Sequence, residues 1–318
     1  MDTTIGDSIE RAAELLKNGD LVAIPTETVY GLAGNALNPA AVVKIFEAKQ
    51  RPSFDPLIVH VPSFDRISEL TLDVPPQAEQ LAKAFWPGPL TLLLPKKPIV
   101  PDLVTSGLET VAIRVPAHPV TLELLKRLGF PLAAPSANLF GQISPTKAGH
   151  VEQQLKGRIP YILDGGYCTI GVESTIVGFP EDELPVVYRL GGVPVEEIEK
   201  VIGKVLVRPH SSSNPVAPGM LKSHYAPRKP LQLVTPEEMA SYPDTSYLRY
   251  SSYLPEVPKE LQLVLATDGD LGIAARNLFA YLRLLDEQPT ARIIAESLPD
   301  IGLGKAINDR LRRAAATE

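Results

Sequence analysis

Cysteine is nearly absent: Cys168 is the only one in 318 residues. That excludes an internal disulfide framework and the small secreted scaffolds that depend on one. Five histidines and this thiol form no cluster with zinc-ligand spacing. No apolar run reaches the ~20 residues that a bilayer-spanning helix needs. The first stretch, MDTTIGDSIERAAELLKNGD, is acidic and amphipathic, without the basic region and apolar core of a secretory signal. The expected location is the cytoplasm, with no membrane association. Positive charge is short as well, 31 Lys and Arg against 37 Asp and Glu for a net charge of −6. This balance argues against a broad nucleic-acid surface, and few aromatics are available for base stacking. A Ser-His-Asp arrangement, a Walker A loop and a complete Rossmann fingerprint are all missing. Gly302 and Gly304-Lys305 look phosphate-binding only superficially, because the Walker spacing and its Ser or Thr are not there.

What is present suits a two-domain α/β protein. Thirty-two prolines lie scattered between apolar segments, the mark of many rigid turns in an ordered fold. Through about residue 203, short apolar strands alternate with amphipathic helices. A helix is expected over Asp7–Lys17, with Asp7 and Glu10 at capping-box spacing, and strands over Leu21–Ile24, Leu57–Val61, Thr91–Leu94, Val111–Val115 and Val186–Leu190. Residues 204–230, with RPHSSSNPVAPGMLKSHYAPRKP, change character and read as a linker. Its Arg208, Lys222, His224, Tyr225 and Arg228 could serve a segment folded over an anionic site, although such composition more often makes a solvated tether. Residues 231–318 predict a smaller α/β domain, with a core-facing helix over Leu271–Leu285 and a last helix in GLGKAINDRLRRAA.

Four stretches carry chemistry. KQRPSFDPLIVH places Lys49 and Arg51 on a Pro-bounded turn ahead of an apolar strand that ends near His60, a plausible phosphate clamp. PTETVYGLAG sets Thr26, Thr28 and Tyr30 before Gly31 and Gly34, where a ligand could approach the backbone. Arg114, inside the apolar strand VAIRVP, needs a counter-ion, either a structural carboxylate or that of a ligand. APSANLFGQISPT gathers Ser136, Asn138, Ser144 and Thr146 at a strand end, where ligands of α/β proteins tend to sit. This inventory fits chemistry that relies on positioning and charge neutralisation, such as nucleotidyl transfer, with Mg²⁺ carried by the triphosphate.

In that order PTETVYGLAG, KQRPSFDPLIVH, VAIRVP, APSANLFGQISPT, GVESTIV and VYRLG resemble the YrdC-type threonylcarbamoyl-AMP synthases. PGMLKSHYAP and GLGKAINDRLRRAA resemble the longer form of that family, which has an extra C-terminal domain. The resemblance implies a twisted, open, mixed-sheet catalytic domain and a smaller Rossmann-like domain. It also implies synthesis of L-threonylcarbamoyl-AMP and pyrophosphate from L-threonine, bicarbonate and ATP. The product would pass to the machinery that modifies the adenosine beside the tRNA anticodon. By motif position, Thr28, His60, Arg114, Ser174 and the backbone at Ala134 correspond to threonine contacts. Lys49 and Arg51 correspond to the catalytic cations, and Arg51, Thr110, Ser136, Asn138, Ser144, Arg189 and Tyr225 to the ATP side. Where the family often has Asn this chain has Asp55, an anion that would act through Mg²⁺ or an arginine. Two other classes fit less well. A non-catalytic RNA-binding module is disfavoured by the acidity, and a carbamoyl-phosphate-using transferase by the lack of zinc-finger cysteines and of an accompanying transferase domain.

Overall fold

The computed structural model describes residues 2–209, 217–220 and 223–316. Lys222 lies outside them. Among these residues no helix is long and apolar enough to cross a membrane.

The first domain is built on one mixed sheet of eleven strands. From edge to edge they are Thr4–Gly6, Tyr161–Leu163, Val22–Ile24, Gly31–Asn35, Leu132–Ala133, Ile58–His60, Thr110–Arg114, Leu90–Pro95, Thr175–Gly178, Val186–Arg189 and Leu206–Val207. The last two strands pair in parallel, so the segment expected to be a linker from residue 204 begins as part of this sheet. Gly31–Asn35 is a strand that its composition hides. It pairs with Val22–Ile24 on one side and Leu132–Ala133 on the other, and tertiary pairing overrides weak intrinsic preference. A Cβ on Gly34 would meet the Leu21 and Ile45 side chains, so this glycine serves packing, not ligand approach.

Local chemistry sets the helix ends. The first helix, Ile9–Lys17, is capped by Ser8, whose hydroxyl accepts from the Arg11 amide, and not by Asp7 as its spacing suggested. Helix Pro39–Lys49 starts with a proline in its first turn behind the Asn38 cap. It ends at Gln50, which adopts the left-handed conformation at φ 53°. The Gln50 amide returns to the Glu47 carbonyl and the Arg51 amide to the Phe46 carbonyl, the paired bonds of a Schellman turn made without glycine. This reversal sends Lys49 and Arg51 in different directions.

The second domain has a four-stranded, all-parallel sheet in the order Leu231–Val234, Arg292–Glu296, Thr245–Arg249, Gln262–Val264. Helices Leu271–Glu287 and Leu303–Ala314 pack with it. Its apolar cluster takes in Val29, Ile143 and Val172 of the first domain together with Tyr225, so the two domains share a core. Lys305 ion-pairs with Glu196 across that boundary at 2.7 Å. A Cβ on Gly304 would run into the Pro299 carbonyl. In the GLGK stretch Gly304 thus serves packing within the second domain, while the Gly302 amide and Lys305 are engaged by Glu196 of the first.

Candidate active site

A cleft opens at the middle of the first sheet and is covered from the second domain's side by Pro218, Gly219, His224 and Tyr225. One group of its residues forms around Arg114. Strands Ile58–His60 and Thr110–Arg114 run parallel with His60 opposite Arg114 in register, so both side chains reach the same face. Arg114 is 4% exposed, and its counter-ion is Glu27, with Nη2 and Oε1 2.7 Å apart. Its Nη1 donates to the Thr28 hydroxyl at 2.9 Å and its Nε to the Gly88 carbonyl at 3.2 Å. A structural carboxylate thus offsets the charge of this arginine, while Arg114 Nη2 and both Glu27 oxygens stay buried without a hydrogen-bond partner among the described residues. Burial, then the nearby Arg114 guanidinium, push His60 down to about 3, so its imidazole is neutral at physiological pH. The His60 Nδ1 is buried without a hydrogen-bond partner in the protein. Ala134 and Gly31 complete this part of the wall.

The second group holds Arg51, Ser136, Glu173, Arg189 and Tyr225. Arg51 donates to the Asp55 and Pro56 carbonyls at 3.1 and 2.9 Å and pairs with the Asp55 carboxylate at 2.8 Å. Asp55 is fully buried and also accepts from the Gly219 amide at 3.4 Å. It holds the Arg51 side chain in place and is not among the residues that line the cleft. Arg189 is fixed by Ser174, donating to its carbonyl at 3.0 Å and to its hydroxyl at 2.9 Å. Burial brings Arg189 down to about 10, which leaves it charged at neutral pH. Gly219, at φ 73°, lies where a Cβ would be 3.2 Å from Arg189 Nη1, so the covering segment approaches as closely as only glycine permits.

Several expected residues stand behind this wall. Lys49 is 1% exposed, and its ammonium donates to the Ser136 and Asn138 carbonyls, both at 2.6 Å. It braces the loop that presents Ser136 and does not itself line the cleft. The Asn138 amide is spent on the Leu139 and Gln142 carbonyls at 2.7 and 2.9 Å. Ser144 donates to Glu173 at 2.6 Å, and Ser174 shares a 2.7 Å hydrogen bond with Thr91. Thr110 opens its strand opposite Pro95, away from the lining. Of the linker's basic residues, Arg208 pairs with Glu183 and Arg228 with Asp286, both remote from the cleft. Tyr225, by contrast, is buried over the site in the left-handed conformation, φ 64°. It stacks on Phe279 of the second domain, with ring centres 5.5 Å apart.

Sequence reasoning passed over Glu27 and Glu173, whereas His224, already marked in the linker, does line the cleft. The need of Arg114 for a counter-ion pointed toward an acid such as Glu27. No comparable signal marked Glu173, whose partner is distant in the chain.

An open mixed sheet with an arginine-lined cleft at its centre places the first domain in the YrdC-like class. Escherichia coli YciO shares that fold at TM-score 0.52 and 24% identity, over 60% of this chain and 94% of its own. The family profile described as telomere recombination, Sua5_yciO_yrdC, matches residues 14–191, and that described as threonylcarbamoyl-AMP synthase, C-terminal domain, matches residues 193–316. The chain therefore belongs to the threonylcarbamoyl-AMP synthase family, in its long form with two domains. It is 44% identical to the threonylcarbamoyl-AMP synthase of Pyrococcus abyssi, over 96% of this chain and 94% of that protein. Identity to the synthase of Bacillus subtilis is 45%, over 98% and 94%. The crystal structure of P. abyssi Sua5 complexed with L-threonine superposes at TM-score 0.89 with 41% identity, over 99% and 97% of the two chains.

Proposed function

We propose that this protein makes L-threonylcarbamoyl-AMP and pyrophosphate from L-threonine, bicarbonate and ATP, as a nucleotidyltransferase. The observation that carries the reading is a single cleft lined by two buried cationic groups, one around Arg114 and one around Arg51 and Arg189. A carboxylate suits the first and a polyphosphate the second, and guanidinium forks match both oxyanions. The relative that superposes over nearly the whole chain was crystallised with L-threonine, which favours that amino acid as a substrate, and the carboxylate-sized need of Arg114 places it there in this reading.

In this reading the threonine carboxylate meets Arg114, and its polar groups meet Thr28, His60 and the Ala134 backbone. A neutral His60 suits a place beside the amine, since it can accept a hydrogen bond without repelling the nucleophile. The unprotonated amine adds to CO₂ and releases a proton to solvent, or condenses with bicarbonate and releases water, to form a carbamate. A carbamate oxygen then attacks the α-phosphorus of ATP, and the bond to pyrophosphate breaks. Arg51 and Arg189 offset the charge on the phosphates, and Ser136 orients them. Lys49, Asn138, Ser144 and Ser174 serve by holding that wall, and Tyr225 covers the nucleotide. Mg²⁺ would offset charge on the triphosphate. Among the described residues no three His, Cys, Asp or Glu side chains gather to hold a metal. The carboxylates next to the cleft, Glu27, Asp55 and Glu173, are each committed to an arginine, which suits an ion brought in on the triphosphate. The product would be consumed by a transferase that modifies tRNA.

Pyrophosphate release tests the reaction. It is expected only when ATP, threonine and bicarbonate are all supplied, and release that continues without threonine or without bicarbonate refutes the assignment.

A further inference from the structure

Glu173 differs from the other carboxylates beside the cleft in the origin of its counter-ion. Its Oε1 accepts from the Ser144 hydroxyl at 2.6 Å and its Oε2 from Arg310 Nε at 3.0 Å. Arg310 belongs to the last helix of the second domain, 137 residues further along the chain, and is fully buried. Its Nη1 donates to the Leu190 carbonyl at 2.7 Å, next to Arg189, and to the Asp309 carboxylate at 2.9 Å. The guanidinium also lies 5.2 Å from the centre of the Tyr225 ring, within cation–π range. One side chain thus bridges the cleft wall, the end of the Arg189 strand and the covering segment. Burial by itself would push the Glu173 carboxyl up, but Arg310, then Arg189 and the Ser144 hydrogen bond, hold it below the usual range. A contact needed only to join two domains is made as well or better by apolar residues. At this position an apolar residue would leave the buried Glu173 without its ion-pair partner, held only by Ser144 and the more distant charge of Arg189.

We propose that Arg310 is a positioning residue of the active site, supplied by the second domain. It fixes the Glu173 carboxylate, and through it Ser144, while flanking Tyr225, so the nucleotide side of the cleft is complete only when both domains are docked. The inference rests on the reading of this cleft as an ATP site.

The test uses the full chain and three variants: Arg310→Met, which keeps the apolar stem; Arg310→Lys, which keeps the charge; and Arg310→Met with Glu173→Gln, which removes both charges. ATP and threonine affinities are measured by calorimetric titration, and pyrophosphate release is followed against pH. Arg310→Met should weaken ATP binding roughly tenfold or more, while threonine affinity stays within about twofold for a site built around Arg114. Its activity should gain a rise with pH through the neutral range, because Glu173 without its guanidinium takes up a proton there. The double variant should lose that pH dependence, and Arg310→Lys should recover part of the ATP affinity. An Arg310→Met protein with wild-type ATP affinity and an unaltered pH profile overturns the proposal. So does equal weakening for ATP and threonine with no new pH dependence, the pattern of general loosening. If Arg310→Met does not fold, the lysine and double variants carry the same comparison, and wild-type behaviour in both overturns it. Wild-type protein that fails to bind ATP would sink the underlying reading, whereas wild-type binding that Arg310 variants leave untouched sinks this proposal alone.

Discussion

Replacing Glu27 with alanine removes the only charged partner of Arg114 that the structure shows in contact with it. Arg114 is 4% exposed and Glu27 6%, and they meet at 2.7 Å. After the change, the Thr28 hydroxyl at 2.9 Å and the Gly88 carbonyl at 3.2 Å remain, and neither carries charge. Breaking a buried ion pair from one side costs about 3–5 kcal/mol. The surviving hydrogen bonds put the expected loss near the lower figure, about 3 kcal/mol, or a Tm lower by roughly 6–12 °C for a domain of this size. Threonine should then act differently on the two proteins. In the wild type its carboxylate shares Arg114 with Glu27 and is repelled by it; in the variant it is the sole counter-ion. A tenfold gain in affinity corresponds to ~1.4 kcal/mol, so threonine at one fixed saturating concentration should raise the Tm of Glu27→Ala several degrees further than that of the wild type. Differential scanning fluorimetry with and without threonine measures this, with Glu27→Gln as a neutral control of similar shape. A threonine shift equal to or smaller than the wild-type shift would refute the placement of the carboxylate at Arg114.

Two further outcomes follow from the geometry. Lys49→Met should lower stability by about 3 kcal/mol through loss of two charge-assisted hydrogen bonds to the Ser136–Asn138 loop, while Arg51→Ala should lower kcat about a hundredfold or more; urea unfolding and pyrophosphate release compare them, and a stable Lys49→Met enzyme as inactive as Arg51→Ala would put the ammonium on the phosphates. His60, held down to about 3 from its ordinary 6.5, binds a proton in the unfolded chain but not in the folded one as pH falls below 6.5, so stability drops with acid. Between pH 7.5 and 5.5 His60→Gln should lose about 1.4 kcal/mol less than the wild type, and equal losses in urea titrations would show that His60 protonates in the folded protein.

Apolar periodicity made most elements legible. The strand Val186–Arg189 ends one residue short of the expected one, and helix Leu271–Glu287 extends the predicted one by two residues. Thr4–Gly6 and Gly31–Asn35 were hidden because neither has an apolar alternation of its own; each becomes a strand by pairing with a neighbour. The site was legible as an inventory of types and much less as an arrangement. Arg51, Arg114, Ser136 and Arg189 face the cleft as their chemistry suggested. Lys49, two residues from Arg51, turns away because the left-handed Gln50 reverses the chain between them, and no glycine announced that turn. Glu27 stood within a stretch read for its hydroxyls. Glu173 and Arg310 become partners only through the docking of two domains, a relation that local patterns do not contain.

That docking also decides how the molecule comes apart. Val29, Ile143 and Val172 of the first domain are buried in the apolar cluster that belongs mainly to the second, so a fragment ending at residue 203 would present them to water beside a Glu173 that has lost Arg310. Loss of the second domain by proteolysis is therefore expected to expose an apolar face and favour self-association, which light scattering of the trimmed protein would show.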